Sequence, residues 1–284
     1  MPLPFVKMQG AGNDYVFVDG FTTELPDDGA QLAVRVSHRH FGIGADGLVF
    51  LFPPDSSDED VRMRMWNADG SEGRMCGTAA RCIGFWMQRQ GRIHAECRIS
   101  TASGIVTAEV PVRTADDLHG CPVSVWMGVP AFPADHETIL RIDDPGHEFC
   151  TVRLSEVNVG NSHAVIFTSN CDAVDVMDLG PAIERHPRFP DGINVEWVTV
   201  VSSHHVKIRV WERGSGETLS CGSGTCAAVA AAIRRGSISS DEPVLADLPG
   251  GQLTVEWKQR RADLPAELRL TGPVRLSFQG EWFD

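Results

Sequence analysis

Lysine is scarce in this 284-residue chain: only Lys7, Lys207 and Lys258 are present. None lies beside a motif that would carry a pyridoxal Schiff base. The eight cysteines include no C-x-x-C pair, which counts against a zinc knuckle or a thioredoxin-like site. The longest strongly apolar run, Cys226 to Ile233, has eight residues, far short of a bilayer span. The first twenty residues lack a basic stretch followed by an apolar one, so no secretory signal is read there. A net charge of −13 argues against a phosphate-backbone binder. No G-x-G-x-x-G follows a strand, so no dinucleotide fingerprint is present. With 42% hydrophobic and 22% charged residues, disorder, collagen and coiled coil are excluded. The expectation is a cytoplasmic protein with reduced cysteines and neither nucleic-acid nor membrane partners.

What is present is a repeat. Val61-Arg62-Met63-Arg64-Met65-Trp66-Asn67, followed by Glu72 and Cys76-Gly77, matches Val206-Lys207-Ile208-Arg209-Val210-Trp211-Glu212, followed by Glu217 and Cys221-Gly222, at an offset of 145. The same offset aligns Asp46-Gly47 with Asp191-Gly192, while 148 aligns Gly12-Asn13 with Gly160-Asn161 and 147 aligns Gly104-x-x-Thr-x-Glu109 with Gly251-x-x-Thr-x-Glu256. Collinear matches near half the chain length imply a duplicated domain with a pseudo-two-fold relation. The expected division is 1–121 plus 268–284, carrying Cys76, and 122–267, carrying Cys221. The C-terminal strand Val274–Phe278 is expected to return to the first half.

Each half opens on a Val/Phe/Ile-rich strand (Asp14–Asp19; His163–Thr168). In the first half a helix follows around Ala30–Arg39. Val61–Trp66 and Val206–Trp211 alternate as half-buried strands do. Helices are expected over Thr78–Gln90 and Ser223–Arg235, each stopped by a glycine, Gly91 or Gly236. The second is apolar all round, as a fully buried helix is. The pattern is α+β: two pseudo-symmetric domains, each a curved, mostly antiparallel, barrel-like sheet around a central helix.

Cys76 and Cys221 each stand before a helix and before a glycine. A helix N-terminus carries roughly half a positive charge and several unbonded N–H groups, which favour a thiolate and bind carboxylates. One such cysteine is most simply a buried apolar residue. Two at matched places in a duplicated chain suggest a pair acting on opposite faces of one carbon acid. One removes the α-proton and the other returns it from the far side, which is racemisation or epimerisation. That scheme needs no cofactor and no metal.

These residues lie in segments that resemble the diaminopimelate epimerase family: Lys7-Met8-Gln9-Gly10-Ala11-Gly12-Asn13-Asp14, Gly42-Ile43-Gly44-Ala45-Asp46-Gly47, Asn67-Ala68-Asp69-Gly70-Ser71, Met75-Cys76-Gly77, Gly160-Asn161, Gly192-Ile193-Asn194, Glu212-Arg213-Gly214, Gly216-Glu217-Thr218 and Cys221-Gly222-Ser223-Gly224. They run in family order along nearly the whole chain. The resemblance implies pyridoxal-independent interconversion of L,L- and meso-2,6-diaminopimelate, in lysine and peptidoglycan precursor synthesis, by Cys76 and Cys221. It places substrate contacts on Asn13, Asn67, Asn161, Asn194, Glu212 and Arg213 and on the segments Gly77-Thr78 and Gly222-Ser223, with His163 and Glu212 tuning the thiols. It further implies a homodimer. An arginine suits a two-point bond to a distal carboxylate, and asparagines read an amino acid head group without adding charge.

Three departures from the family pattern stand out: Cys76-Gly77-Thr78-Ala79 in place of Cys-Gly-Asn-Gly, Ser162 in place of a proline, and Phe278 in place of a tyrosine. Ala79 is expected to narrow the backbone angles of its loop. The alternatives are a cofactor-independent racemase or epimerase of another amino acid and, more remotely, a non-catalytic thiol protein with a redox or metal-binding role. His204 and His205 read as strand-edge residues, and no chemistry is assigned to Glu72 or Glu217.

Overall fold

Tyr-Val-Phe-Val in the second strand and Leu-Val-Phe-Leu in the third are buried without alternation, whereas Arg62 and Arg64 punctuate the fourth. Continuous burial requires cover on both faces of a sheet, and the fold provides it. The computed structural model describes residues 2–112, 119–144 and 147–283. The chain divides into two compact units, residues 1–126 with 271–284 and residues 127–270. The break falls after Trp126 rather than at Cys121–Pro122, because both of those residues lie inside a strand, Gly120–Trp126.

In unit 1 the elements are β1 (Leu3–Gly10), β2 (Asn13–Asp19), α1 (Gly29–Ser37), β3 (Gly47–Phe52), β4 (Val61–Asn67), β5 (Glu72–Gly73), α2 (Gly77–Arg89), β6 (Glu96–Thr101), β7 (Gly104–Glu109) and β8 (Gly120–Trp126). The unit is completed by the end of β17 (Ala266–Trp282). The pairings run β1–β2, β2–β3, β3–β4, β4–β6, β6–β7, β7–β8, β8–β17 and β17–β1, an eight-stranded barrel closed on itself. Two of these pairings, β2–β3 and β4–β6, are parallel. Helix α2 is buried from Gly77 through Met87 and packs on β1, β2, β6, β7 and β8. Outside the sheet, Leu32, Ala33 and Val36 of α1 pack on Val16, Val18, Leu48, Phe50 and Trp66.

Unit 2 repeats this order: β9 (Thr138–Asp144), β10 (His147–Asn158), β11 (Ser162–Phe167), α3 (Val176–Glu184), β12 (Asn194–Ser202), β13 (His205–Glu212), β14 (Gly216–Thr218), α4 (Gly222–Arg234), β15 (Val244–Leu248) and β16 (Gly251–Gln259). Helix α4 is the counterpart of α2 and contacts β10, β11, β12, β13 and β16. Residues 127–131 bridge the start of β17 and the end of β10: Met127 N–H bonds the Leu268 carbonyl at 2.8 Å and Ala131 N–H bonds the Asn158 carbonyl at 2.8 Å. The repeat extends to ion pairs. Arg64 meets Glu72 at 2.9 Å and Arg209 meets Glu217 at 2.7 Å.

Two sequence expectations change. Unit 2 also has its outer helix, α3, where none was read; Gly180 and Pro181 lie inside it and mask its periodicity. The Asp46/Asp191 match is not a structural one. Tyr15 is opposite Gly47 in one unit and His163 is opposite Asn194 in the other, so Gly47 corresponds to Asn194 and the loop registers differ by two residues.

Candidate active site

Both cysteines are the N-cap residues of the buried helices. Cys76 has φ −136° and ψ 126°, and Cys221 has φ −128° and ψ 116°. An extended residue at that place leaves the first N–H groups of the helix unbonded by the helix itself. Glycine follows in both cases, so the approach to those N–H groups is not narrowed by a side chain.

The two thiols differ in what they bond. Cys76 is half-buried and donates to Asn13 Oδ1 at 3.7 Å. Asn13 is held in that orientation by its own amide, which donates to Asp46 at 2.7 Å. Asp46 also accepts from the Asp14 backbone N–H and from Arg39. Lys7 pairs with Asp14 at 2.6 Å and donates to the Gly44 carbonyl. Burial works to raise the Asp14 carboxyl, but bonds from Arg39 and Lys7 prevail and hold it below its ordinary value. Burial raises Asp46. A chain of alternating charges thus fixes one amide beside Cys76.

Cys221 is 7% exposed, and its Sγ accepts from the Gly224 N–H at 3.4 Å. Ser223 Oγ lies 3.5 Å from the same sulfur, and Asn161 Nδ2 donates to that hydroxyl at 3.3 Å. Asn161 Oδ1 meets His163 Nε2 at 2.9 Å, and His163 Nδ1 meets Glu196 Oε1 at 2.7 Å. His163 and Glu196 are both fully buried. Burial, followed by the Glu212 and Glu196 carboxylates, pushes the Cys221 thiol well above its ordinary value, against the bonds from Ser223 and Gly224. Burial likewise raises Glu212, which bonds Cys221 and accepts from Thr218 Oγ1 at 2.5 Å.

The remaining residues read from the sequence are distributed as follows. Asn67 donates to Ser71 Oγ at 2.9 Å and closes its own turn. Thr78 is 1% exposed and accepts from Arg81 at 3.2 Å, so only its backbone N–H is on offer. Ala79 lies within α2 at helical angles; Ala11 is the only non-glycine residue with positive φ among those described. Ala79 thus lies in a helix rather than the expected loop, where the angles open to alanine are the ones required. Asn194 is 6% exposed, accepts from the Arg213 N–H at 3.0 Å and donates to the Ser162 carbonyl at 3.0 Å. Arg213 is exposed, and its Nη1 donates to the Asp191 carbonyl at 2.8 Å. A Cβ on Gly192 would lie 2.8 Å from Arg213 Cδ, at a φ of +72° that already favours glycine. Unit 1 therefore gathers Asn13 and Thr78 around Cys76. Unit 2 gathers Asn161, His163, Glu212 and Ser223 around Cys221, with Asn194 bonded to the Arg213 backbone.

Sequence reasoning assigned no role to Asp46 or Glu196. The available signal for Glu196 is a carboxylate inside the otherwise apolar run Val195–Val198. Asp46 stands in the glycine-rich segment Gly42-Ile43-Gly44-Ala45-Asp46-Gly47. His204 and His205 pair with Asp241 and Asp247, each at 2.8 Å. Among the described residues no group of three or more His, Cys, Asp or Glu could hold a metal ion, and no helix is long and apolar enough to cross a membrane.

Comparison with known proteins places the chain by sequence and by fold. The chain matches the sequence family described as diaminopimelate epimerase over residues 5–132 and 155–276. It is 38% identical to the diaminopimelate epimerase of Desulfitobacterium hafniense, covering 98% of this chain and 97% of that one. It is 39% identical to that of Azotobacter vinelandii, covering 99% of each. In fold it is similar to a hydroxyproline epimerase from Agrobacterium vitis (TM-score 0.70, 18% identity, covering 99% of this chain and 92% of that one). It is likewise similar to a phenazine biosynthesis protein from Bacillus anthracis (TM-score 0.72, 14% identity, covering 100% of each). Matched over nearly its full length in sequence, with a cysteine capping the buried helix of each unit, the chain belongs to the diaminopimelate epimerase family.

Proposed function

We propose that this chain interconverts L,L- and meso-2,6-diaminopimelate by two-base proton transfer, with Cys76 and Cys221 as the acid–base pair. The observation that carries the reading is the matched placement of the two thiols, each capping a buried helix in a family named for this activity. The unbonded N–H groups of Gly77-Thr78 and Gly222-Ser223 are suited to the carboxylate of the reacting end and to the charge that develops on it. One cysteine takes the α-proton and the other supplies a proton to the opposite face, so the roles exchange in the reverse reaction. Glu212, whose proton affinity burial raises, is placed to hold the Cys221 proton while the sulfur acts as base.

Arg213 provides a clamp for the distal carboxylate. Asn13, Asn67, Asn161 and Asn194 supply amide groups for the two amino acid ends. A site built to pair a charged group rejects analogues that lack it, because its own polar groups are left unpaired. Lysine, which has no distal carboxylate, is expected to be a poor substrate. The scheme calls on no cofactor, and the reading extends to a homodimer acting in the cytoplasm.

The test is α-proton exchange in deuterated water on a panel headed by L,L-diaminopimelate. Turnover of diaminopimelate is expected, and Cys76→Ala and Cys221→Ala are each expected to abolish epimerisation. Full activity in either variant would remove the two-base scheme. Faster turnover of a monocarboxylic amino acid would move the specificity elsewhere and leave the chemistry intact.

A further inference from the structure

Unit 1 contains an internal control for unit 2. The strand registers make Tyr15 the counterpart of His163, since these lie opposite Gly47 and Asn194 respectively. Two residues further on, Val49 is the counterpart of Glu196, and both are fully buried. Third after each cysteine, Ala79 corresponds to Gly224. A Cβ on Gly224 would fall 2.5 Å from Glu196 Oε1, so the glycine is what admits the carboxylate beneath the first turn of α4. The same frame is thus built in unit 1 from Val49, Tyr15 and Ala79, with no buried ion pair at that place. The pair in unit 2 is not required by the fold.

The pair has a definite chemical consequence. A lone carboxylate buried beside a neutral ring would leave an uncompensated charge, which is costly. Among the described residues Glu196 Oε2 has no hydrogen-bond partner, which increases that cost. The net-neutral arrangement places one proton on the line between Nδ1 and Oε1 and a second on Nε2. His163 then donates from Nε2 to Asn161 Oδ1, which turns the amide so that Nδ2 donates to Ser223 Oγ. Ser223, accepting there, has its own hydrogen for the Cys221 sulfur. The thiol hydrogen is then directed to Glu212. With the other ring tautomer Nε2 would accept, the Asn161 amide would turn over, and every bond in the chain would reverse.

We propose that Glu196 is a positioning residue for the reaction: by pairing with His163 it fixes the proton on Nε2 and so sets the direction of the hydrogen-bond chain from His163 through Asn161 and Ser223 to Cys221. This rests on the two-cysteine reading above. The decisive measurement does not require turnover: long-range 15N–1H NMR on the full chain labelled at histidine, with the His163 ring identified by its loss in His163→Gln. A proton on Nε2 at neutral pH is expected; a bare Nε2 would overturn the proposal. Kinetics supply the second arm. Glu196→Val copies the unit 1 residue, and its kcat for α-proton exchange is expected to fall at least about tenfold with KM little changed. An unchanged kcat in that variant would also overturn the proposal. Should the variant not fold, the tautomer in the wild-type protein decides alone. Failure of the wild-type chain to turn over diaminopimelate would count against the function and leave the tautomer result standing.

Discussion

Ala79 and Gly224 stand third after a cysteine in matching helices, yet a methyl group fits at the first and not at the second. Gly224→Ala would drive a Cβ to 2.5 Å from the Glu196 carboxylate, and Glu196 is held there by His163. Overpacking of this kind costs about 1–3 kcal/mol, so the denaturation midpoint is expected to fall; an unchanged midpoint would contradict the close approach. Ala79→Gly meets no such contact and should cost about 1–2 kcal/mol, from helix propensity and the loss of one fully buried methyl group. Arg213→Lys keeps the charge but loses the planar fork, and kcat/KM for diaminopimelate is expected to drop severely while stability is unaffected. Burial pushes Cys82 and Cys97 up to about 12, so iodoacetamide at about pH 8 should leave both unmodified in the native chain; labelling of either before unfolding would refute that. Cys76 with Asn13, and Cys221 with Asn161, which are linked by hydrogen bonds within each unit, stand out in the sequence because each sits in a Gly-containing motif. Asp46 and Glu196 do not, because their significance depends on partners 33 residues away in each case, Asn13 and His163, and strand register alone decides who those partners are.

At the scale of elements, the two outer helices are each pinned by a tryptophan. A Cβ on Gly29, which begins α1, or on Gly180, inside α3, would fall 2.4 Å from Trp66 or Trp211 respectively. In an exposed helix Gly→Ala stabilises by about 1 kcal/mol; here the sign should reverse, with Gly29→Ala and Gly180→Ala each lowering the midpoint of thermal unfolding. A raised midpoint would show that these helices are free to shift. The same residues explain what the sequence concealed. Strands β2, β4, β11 and β13 and helices α2 and α4 were readable to within a residue or two, because their apolar patterns are clean. Helix α3 was not: Gly180-Pro181 inside it weakens the pattern, and the helix is sustained by the Asp175 N-cap and by burial of Val176 and Ile183 against β12 and β13.

At the scale of the whole molecule, the carboxylates dictate the response to acid. The Arg98 hydrogen bonds hold Asp60 below its ordinary value. The Asp55 backbone N–H does the same for Glu59. Lys258 and Arg269 outweigh burial at Glu256, and bonds from Ser239 and His204 lower Asp241 from 3.8 to about 2. Such groups bind protons more weakly folded than unfolded, so their stabilisation is complete above the ordinary carboxylate range and is lost as pH falls below about 4. Glu212 acts in the opposite sense: its raised affinity favours the fold at low pH and weakens it as pH rises through the folded value. Melting temperatures measured from about pH 2 to 7 should therefore decline on the acid side, and a midpoint rising below pH 4 would refute this. The duplicated plan was legible because several motifs repeat collinearly. The return of the C-terminal segment to unit 1, expected from residue 268, lies within three residues of the handover, since Ala266–Leu270 belong to unit 2 and the residues from Thr271 onward to unit 1; what no composition change marks is that it falls inside one continuous strand, β17. That handover has a consequence for biosynthesis. The strand that closes the first barrel is translated after the other strands of both units, so on the ribosome the nascent unit 1 waits with the edges of β1 and β8 unpaired until β17 has been made. Chains released before Thr271 would retain those open edges permanently, and open edges are templates for aggregation.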